Sequence, residues 1–416
     1  MSDSTTVRAT PEWPFDARAE PAGYFAELRG KGEIQRVPGT DTFIAGRWED
    51  VAAIAQNHEV FIQDLTDVQP EFRKTVTPCP FHEAPPGKYQ PLPAPFSDGE
   101  DHKIKRRWGL TMVQPDRLRG YEPFLRALCD ELIDAFARRG RCEFRTEFAI
   151  PLPSQVVGTL LGVPKEETEQ FVHWVDDIFT AGLLGAPEEH KLAAERAWRE
   201  MYDYVSDNVI DRFKHPKDDF LSELIRVQVE KDGGLDLNFQ IVQASNFIQA
   251  GSETTVNMLC NAMSYVARDT ALRDGLIADP EQIPAMIEET LRLEAPVSVN
   301  FRLCTEDTEV NGVEIPAGAL VMILWSSGNL DEERFECPAE FRLGRPRAKN
   351  DTLSFGRGAH RCIGAPLARL EGKIAYEALL SRLPNLRLVE SESDLSNVES
   401  SRMHGPRKLV LEFDPA

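Results

Sequence analysis

Apolar positions along most of this chain recur every three or four residues, the period of helices with one buried face. Between Glu100 and about Ile277 that period dominates. Leu125, Leu128, Cys129, Leu132 and Ile133 form one stripe, and Val205, Val209 and Phe213 form another. Breaks near Pro216 and at Gly233-Gly234 predict loops between helices. A long helix is predicted over about 239–268. Shorter helices are predicted over 24–31 and 48–56, with short strands around 34–37 and 42–45. After Pro296 the rhythm changes to short strands. Residues 309–314 read as a hairpin turning on Asn311-Gly312. A strand over 319–324 follows, then a helix over 365–383 and strands near 409–413. Residues 75–98 are rich in proline, and a loop of that length inside a compact domain predicts a wall or lid over a binding site. The expected architecture is mainly α with a minor β portion. Residues 21–416 form one domain behind a flexible N-terminal tail, 1–20.

The formal net charge of -21 argues against nucleic acid and against anionic membrane as partners. It leaves room for an acidic protein on a local basic patch, because distant charges are screened. No apolar run of ~18 residues is present, and the start, from Met1 to Thr6, has no basic region followed by an apolar one. A cytoplasmic protein without membrane attachment is expected. The seven cysteines are odd in number and include no Cys-x-x-Cys pair, so neither a disulfide framework nor a zinc module is predicted.

One cysteine has a distinctive setting. Phe355-Gly356-Arg357-Gly358-Ala359-His360-Arg361-Cys362-Ile363-Gly364 places Cys362 after two turn-forming glycines and before a predicted helix. Helix-terminal N–H groups and the adjacent positive residues favour a thiolate there. The pattern Phe-Gly-x-Gly-x-His-x-Cys-x-Gly resembles the heme-binding loop of the cytochrome P-450 superfamily. The resemblance implies the cytochrome P-450 fold, with heme b (iron protoporphyrin IX) between a long distal helix and the cysteine loop. It makes Cys362 the iron ligand, with Phe355 and Gly356 in the same loop. A thiolate on heme iron favours O–O cleavage, hence oxygen activation rather than oxygen carriage.

Other segments agree. Ala250-Gly251-Ser252-Glu253-Thr254-Thr255, on the long helix, resembles the family's distal acid–threonine motif. By that resemblance Thr254 and Glu253 relay protons and Gly251 leaves room for oxygen. Glu253 departs from the commoner aspartate. Glu289-Thr290-Leu291-Arg292 resembles the family's Glu-x-x-Arg pair, with Arg345 as the third member of a structural network. Heme carries two propionates, which want cationic partners. His102, Arg106, Arg302 and His360 match the family's positions for them.

The resemblance covers nearly the whole chain from about Pro21. It looks closest to the bacterial camphor hydroxylase group, through Cys79-Pro80-Phe81, the Ser327-to-Glu332 segment and Cys337-Pro338. That implies hydroxylation of a small apolar compound, a monoterpenoid such as camphor or 1,8-cineole. With ~100° per residue, Asn246, Gln249 and Ala250 share the helix face of Thr254. Asn246 or Gln249 either anchors a substrate oxygen or bonds neighbouring helices. Val297 and Val299 are expected as apolar wall, and Tyr89 as a further substrate contact. No flavin or iron–sulfur domain fits in the chain, so a [2Fe-2S] ferredoxin and its flavin-dependent reductase are expected as electron donors alongside O2. Lys103, Lys105, Arg106, Arg107 and Arg361 form either a docking patch for that donor or a solvated face. A peroxide-driven peroxygenase and a non-enzymatic heme sensor are the alternative readings.

Overall fold

The computed structural model describes residues 21–32, 34–65, 94–181, 188–346, 351–398 and 402–415. Most of the Pro-rich stretch, with Cys79 and Tyr89, lies outside the described residues, as does the tail 1–20.

The fold is mostly helical with a minor strand portion. Six of the helices frame the site: α1 (Gly99–Met112), α2 (Pro115–Ala137), α3 (Pro151–Leu160), α4 (Leu237–Val266), α5 (Ile283–Leu293) and α6 (Ala365–Arg382). Helix α2 begins at Pro115, where the missing N–H costs nothing. Helix α4 is capped by Asp236, whose carboxylate accepts the Phe239 N–H at 3.0 Å. The predicted stripe of Leu125, Leu128, Cys129 and Ile133 is buried, in the largest apolar cluster with α4, α5 and α6. Helix α4 is buried nearly all round in its second half, which makes it the axle of the molecule.

The main sheet supports the other side of the site. Strand Leu320–Leu324 pairs in parallel with Thr42–Ala45 and antiparallel with Val299–Cys304. All five of its residues are buried, which explains its unbroken apolar run. The hairpin Thr308–Val310 and Val313–Ile315 turns on Asn311 and Gly312, at φ 49° and 86°. Both values are the left-handed ones that a type I′ turn demands. Not anticipated were strand Arg141–Glu143, paired with Val410–Glu412, and the single π-helical turn Arg145–Ala149 leading into α3.

The predicted network of Glu289, Arg292 and Arg345 is assembled in the core. Glu289 and Arg292 on α5 are 1% and 0% exposed. Arg292 Nε and Nη2 donate to the two Glu289 carboxylate oxygens at 2.9 and 2.8 Å, and Arg345 Nε donates to one of them at 2.7 Å. The remaining donors of Arg292 satisfy the carbonyls of Asn329, Pro338 and Glu340. These bonds tie α5 to the segments that lead into the cysteine loop.

Helix α6 also buries an acid without a counter-ion. Glu371 is 3% exposed, its Oε2 has no hydrogen-bond partner, and burial pushes its carboxyl up to about 8. The folded state therefore holds a proton that the unfolded chain releases near 4.5. This contribution to stability is complete below the unfolded pKa and is lost as pH rises through the folded one. Each pH unit inside that window removes up to ~1.4 kcal/mol, on the order of 1–2 °C in Tm for a chain of this size. Calorimetry at pH 5 to 8 should show this decline, and Glu371→Gln should flatten it. An equal slope in both proteins would assign the decline to other groups.

Candidate active site

The cysteine loop is shaped by backbone. Gly356 and Gly358 adopt φ of 66° and 70°, and a short 3-10 turn, Gly358–His360, follows. A Cβ on Gly358 would lie 2.5 Å from the Ala55 carbonyl oxygen, a backbone atom that cannot swing aside. The Cys362 N–H donates to Phe355 O at 2.7 Å, closing the loop on itself. Phe355 stacks under the Arg369 guanidinium at 4.4 Å, and Arg369 is ion-paired with Glu288 on α5. Helix α1 meets the loop at Gly109, where a Cβ would sit 2.2 Å from Ile363 Cδ1.

Cys362 is exposed, just ahead of α6. Burial pushes the thiol above its ordinary value. Opposing it are the N–H groups of Gly364 and Ala365 at the start of α6 and the guanidinium groups of Arg106 and Arg369. Burial and these groups thus pull the thiol in opposite directions. Coordination to a cationic metal would favour the thiolate, because a coordinating thiol is deprotonated outright.

Beside the loop, cation-forming side chains crowd together. The His102 and His360 rings lie 4.0 Å apart. Arg106 Nη1 donates to Arg361 O at 2.7 Å. Arg302, 1% exposed, donates from Nη1 to Phe301 O at 2.8 Å. Asp98 is the carboxylate in their midst, and its Oδ2 is engaged by the N–H groups of Gln63 and Asp64. Its Oδ1 pairs with His360 Nε2 at 3.3 Å. Burial, then His360 and Arg106, push His102 down to about 4. Burial, with Arg402 nearby, pushes Arg302 down to about 10. The cluster is short of negative charge.

On α4, Thr254 Oγ1 donates to Ala250 O at 2.7 Å, the local bond expected of a mid-helix threonine. Glu253 is held by a partner not foreseen. Arg145, on the π-helical turn, donates from Nη2 to Glu253 Oε1 at 2.8 Å and from Nη1 to Asn257 Oδ1 at 2.9 Å. Asn257 Nδ2 closes the triangle on Glu253 Oε1 at 3.2 Å. Burial nevertheless raises the Glu253 carboxyl, with Arg145 opposing. Nothing local marks Arg145, because its partner is 108 positions away.

A Cβ on Gly251 would meet Val157 Cγ2 at 2.8 Å, so this glycine lets α3 approach closely. Two expectations need correction, those for Val299 and Lys105. Val299 is 2% exposed and packs with Phe25, Ile44 and Met322, so it belongs to the core and not to a pocket wall. Val297 is half-buried and forms a β-bridge with Met403. Gln249 Nε2 donates to Ser245 O within its own helix at 3.2 Å. Asn246 is half-buried and makes no hydrogen bond among the described residues. Lys105 is 1% exposed with its ammonium on Asp101, which removes it from any docking surface, whereas Lys103, Arg107 and Arg361 are exposed.

Residues 278–390, which include α5 and the cysteine loop, match the Cytochrome P450 family model. The chain is 34% identical over 319 residues to a Steroid C26-monooxygenase of Mycobacterium tuberculosis, covering 77% of this chain and 85% of that one. It is 32% identical to Cytochrome P450 107B1 of Saccharopolyspora erythraea, over 91% of each chain. Among solved structures, CYP109Q5 from Chondromyces apiculatus superposes with a TM-score of 0.81 at 30% identity, covering 97% of both chains.

The chain belongs to the cytochrome P450 family. It is a heme-thiolate monooxygenase, and the family's cofactor is heme b. The site fits a P450 heme on its own terms. Two propionates would supply negative charge for the Arg106 and Arg302 guanidiniums and an acceptor for a ring N–H of His102 or His360. No helix among the described residues is long and apolar enough to cross a membrane.

Proposed function

We propose that this P450 hydroxylates a compact, mostly apolar substrate carrying one oxygen, a terpenoid of camphor or cineole size, with Cys362 as the thiolate that would hold the heme iron. The observation that carries the reading is the cysteine loop, whose backbone fixes an exposed Cys362 beside the cluster of His102, His360, Arg106 and Arg302. Bound heme supplies the oxygen activation and C–H oxidation, which no side chain can supply. His102, Arg106, Arg302 and His360 would hold the propionates. Phe355, through its carbonyl, sets the place of Cys362. The amide of Asn246, on the face of Ala250 and Thr254, suits a single substrate oxygen, and Val297 supplies apolar contact. Gln249, engaged with its own helix, serves that face as framework.

Proton delivery falls to Thr254 and Glu253, with Arg145 and Asn257 fixing the carboxylate one residue before the hydroxyl. Losing a positioned proton donor costs roughly 100-fold or more in the step that it serves. Thr254→Ala should therefore consume NADH at a near-normal rate while product per NADH falls at least about tenfold and peroxide rises. Full coupling in that variant would remove Thr254 from the relay. Electrons come from a [2Fe-2S] ferredoxin with its flavin-dependent reductase. The exposed cations Lys103, Arg107 and Arg361 near the cysteine side support this in a chain of net charge -21.

A steroid is the second reading, favoured by the identity to the Steroid C26-monooxygenase. Optical titration of the ferric protein separates them. Camphor or 1,8-cineole should drive the low- to high-spin change at lower concentration than a sterol with an intact side chain. The reverse order would replace the terpenoid with the steroid.

A further inference from the structure

Residues 402–404 run beside 296–298, and the pairing is slight. Ser298 N donates to Arg402 O at 2.8 Å, His404 N donates to Pro296 O at 3.0 Å, and Val297 and Met403 form an isolated bridge. A bridge that short has no ladder to fix its register. Backbone holds the far end, where Val398 N donates to Gly405 O at 2.9 Å, and Arg402 Nη2 donates to Asn300 Oδ1 at 2.6 Å; the bridge itself is flanked by a further set of side chains. Glu294 ends the turn after α5, two residues before Pro296. Its Oε2 lies 2.5 Å from His404 Nε2, and its Oε1 accepts the Tyr265 hydroxyl at 2.7 Å. Tyr265, on the last turn of α4, is steadied by the Phe341 ring, 4.7 Å away between centroids. One turn earlier, Asn261 Nδ2 donates to both backbone carbonyls of the pair, Glu294 O at 3.1 Å and His404 O at 3.2 Å. The next residue, Gly405, presses on α4 directly, since a Cβ there would lie 2.5 Å from Asn257 Oδ1.

The geometry points to a clasp: we propose that Glu294, through His404 and Tyr265, positions strand 402–404 against Val297 and so fixes the pocket wall on which substrate rests. Glu294 is a positioning residue, remote from the chemistry. Its charge is used between two strand-forming segments and the distal helix, where one carboxylate can hold both partners only if all three segments are in register. The inference rests on the placement of Val297 at the substrate pocket, which belongs to the proposed function above.

The test compares Glu294→Gln, His404→Gln and their double variant with Val297→Phe, all as heme-loaded protein. Three readouts apply: hydrogen exchange of residues 402–405, the midpoint of the spin-state change with the best terpenoid or steroid ligand, and the product ratio. Glu294→Gln and His404→Gln should each speed exchange in that segment and weaken the midpoint on the order of tenfold, the size expected for one charge-assisted hydrogen bond. The double variant should be no worse than either single one, because both remove the same contact. Product ratios should broaden while the thiolate-type carbon monoxide spectrum persists. If Val297→Phe shifts midpoint and products but Glu294→Gln and His404→Gln leave all three readouts unchanged, the clasp is overturned and the wall stands. If Val297→Phe is also silent, the wall fails and the clasp with it. Should Glu294→Gln not load heme, Tyr265→Phe, which deletes one hydrogen bond from the same carboxylate, takes its place with the same outcomes.

Discussion

Cys362→Ser should give a folded protein whose hydroxylation rate falls by about a thousandfold or more, since the anionic sulfur ligand is what favours O–O cleavage. The fold should persist because the loop does not depend on the sulfur. Its closing bond is Cys362 N–H to Phe355 O, and its turns rest on Gly356 and Gly358. Thermal unfolding of the heme-free form should therefore change little. The reduced carbon monoxide spectrum should lose its thiolate character entirely. No other described cysteine can stand in. Cys129, Cys142 and Cys260 are buried, with their thiols pushed up by burial to about 12 or beyond. Cys304 is buried in the sheet cluster, and Cys337 is exposed at a left-handed corner. Cys362 alone among them has two helix-terminal N–H groups bonding its sulfur, with the Arg106 and Arg369 guanidiniums near enough to favour the thiolate. A thiolate spectrum surviving in Cys362→Ser would end the assignment.

What could be read in advance was whatever is encoded locally. The Asn311-Gly312 hairpin, the capped helix α4 and the apolar stripe of α2 each depend on neighbours within a few positions, so period and turn chemistry sufficed. The cysteine loop was legible for the same reason: its glycines, its cysteine and the helix behind it are contiguous. Contacts between distant segments were not. Arg145 sits on a π-helical turn with no pattern of its own and meets Glu253 only through the fold. Gly109 and Gly251 look alike in sequence, yet each is small because of a particular neighbour, Ile363 or Val157. Val299 was misplaced because an apolar strand residue has two faces to choose from, and the choice is made by the sheet's partners. The segment 327–332 resembled a substrate-class signature, but Asn329 is fully buried and bonded to Leu353 N and Ser354. It reports on framework rather than on substrate.

That framework sets the second large effect. Replacing Arg292 by Lys should destabilise the protein by about 3–5 kcal/mol, the cost of breaking a buried pair from one side. Lysine keeps the charge but cannot fork onto both Glu289 oxygens while also reaching the carbonyls of Asn329, Pro338 and Glu340. Buried acceptors would be stranded, and Glu289 would retain Arg345 and the Arg342 N–H alone. Burial works to raise the Glu289 carboxyl, but Arg292 and Arg345 hold it below its ordinary value. Its stabilising contribution is thus present above the unfolded pKa near 4.5 and lost as pH falls through the folded one. Wild type should weaken toward acid on this account, and Arg292→Lys should lose much of that slope along with its stability. Because the pair ties α5 to the segments before the cysteine loop, heme retained per protein should fall in step with Tm. Calorimetry and the heme-to-protein absorbance ratio read both. If Arg292→Lys unfolds like wild type and keeps its heme, the network is not what presents Cys362, and the loop must be held by its own glycine turns and by α1 at Gly109.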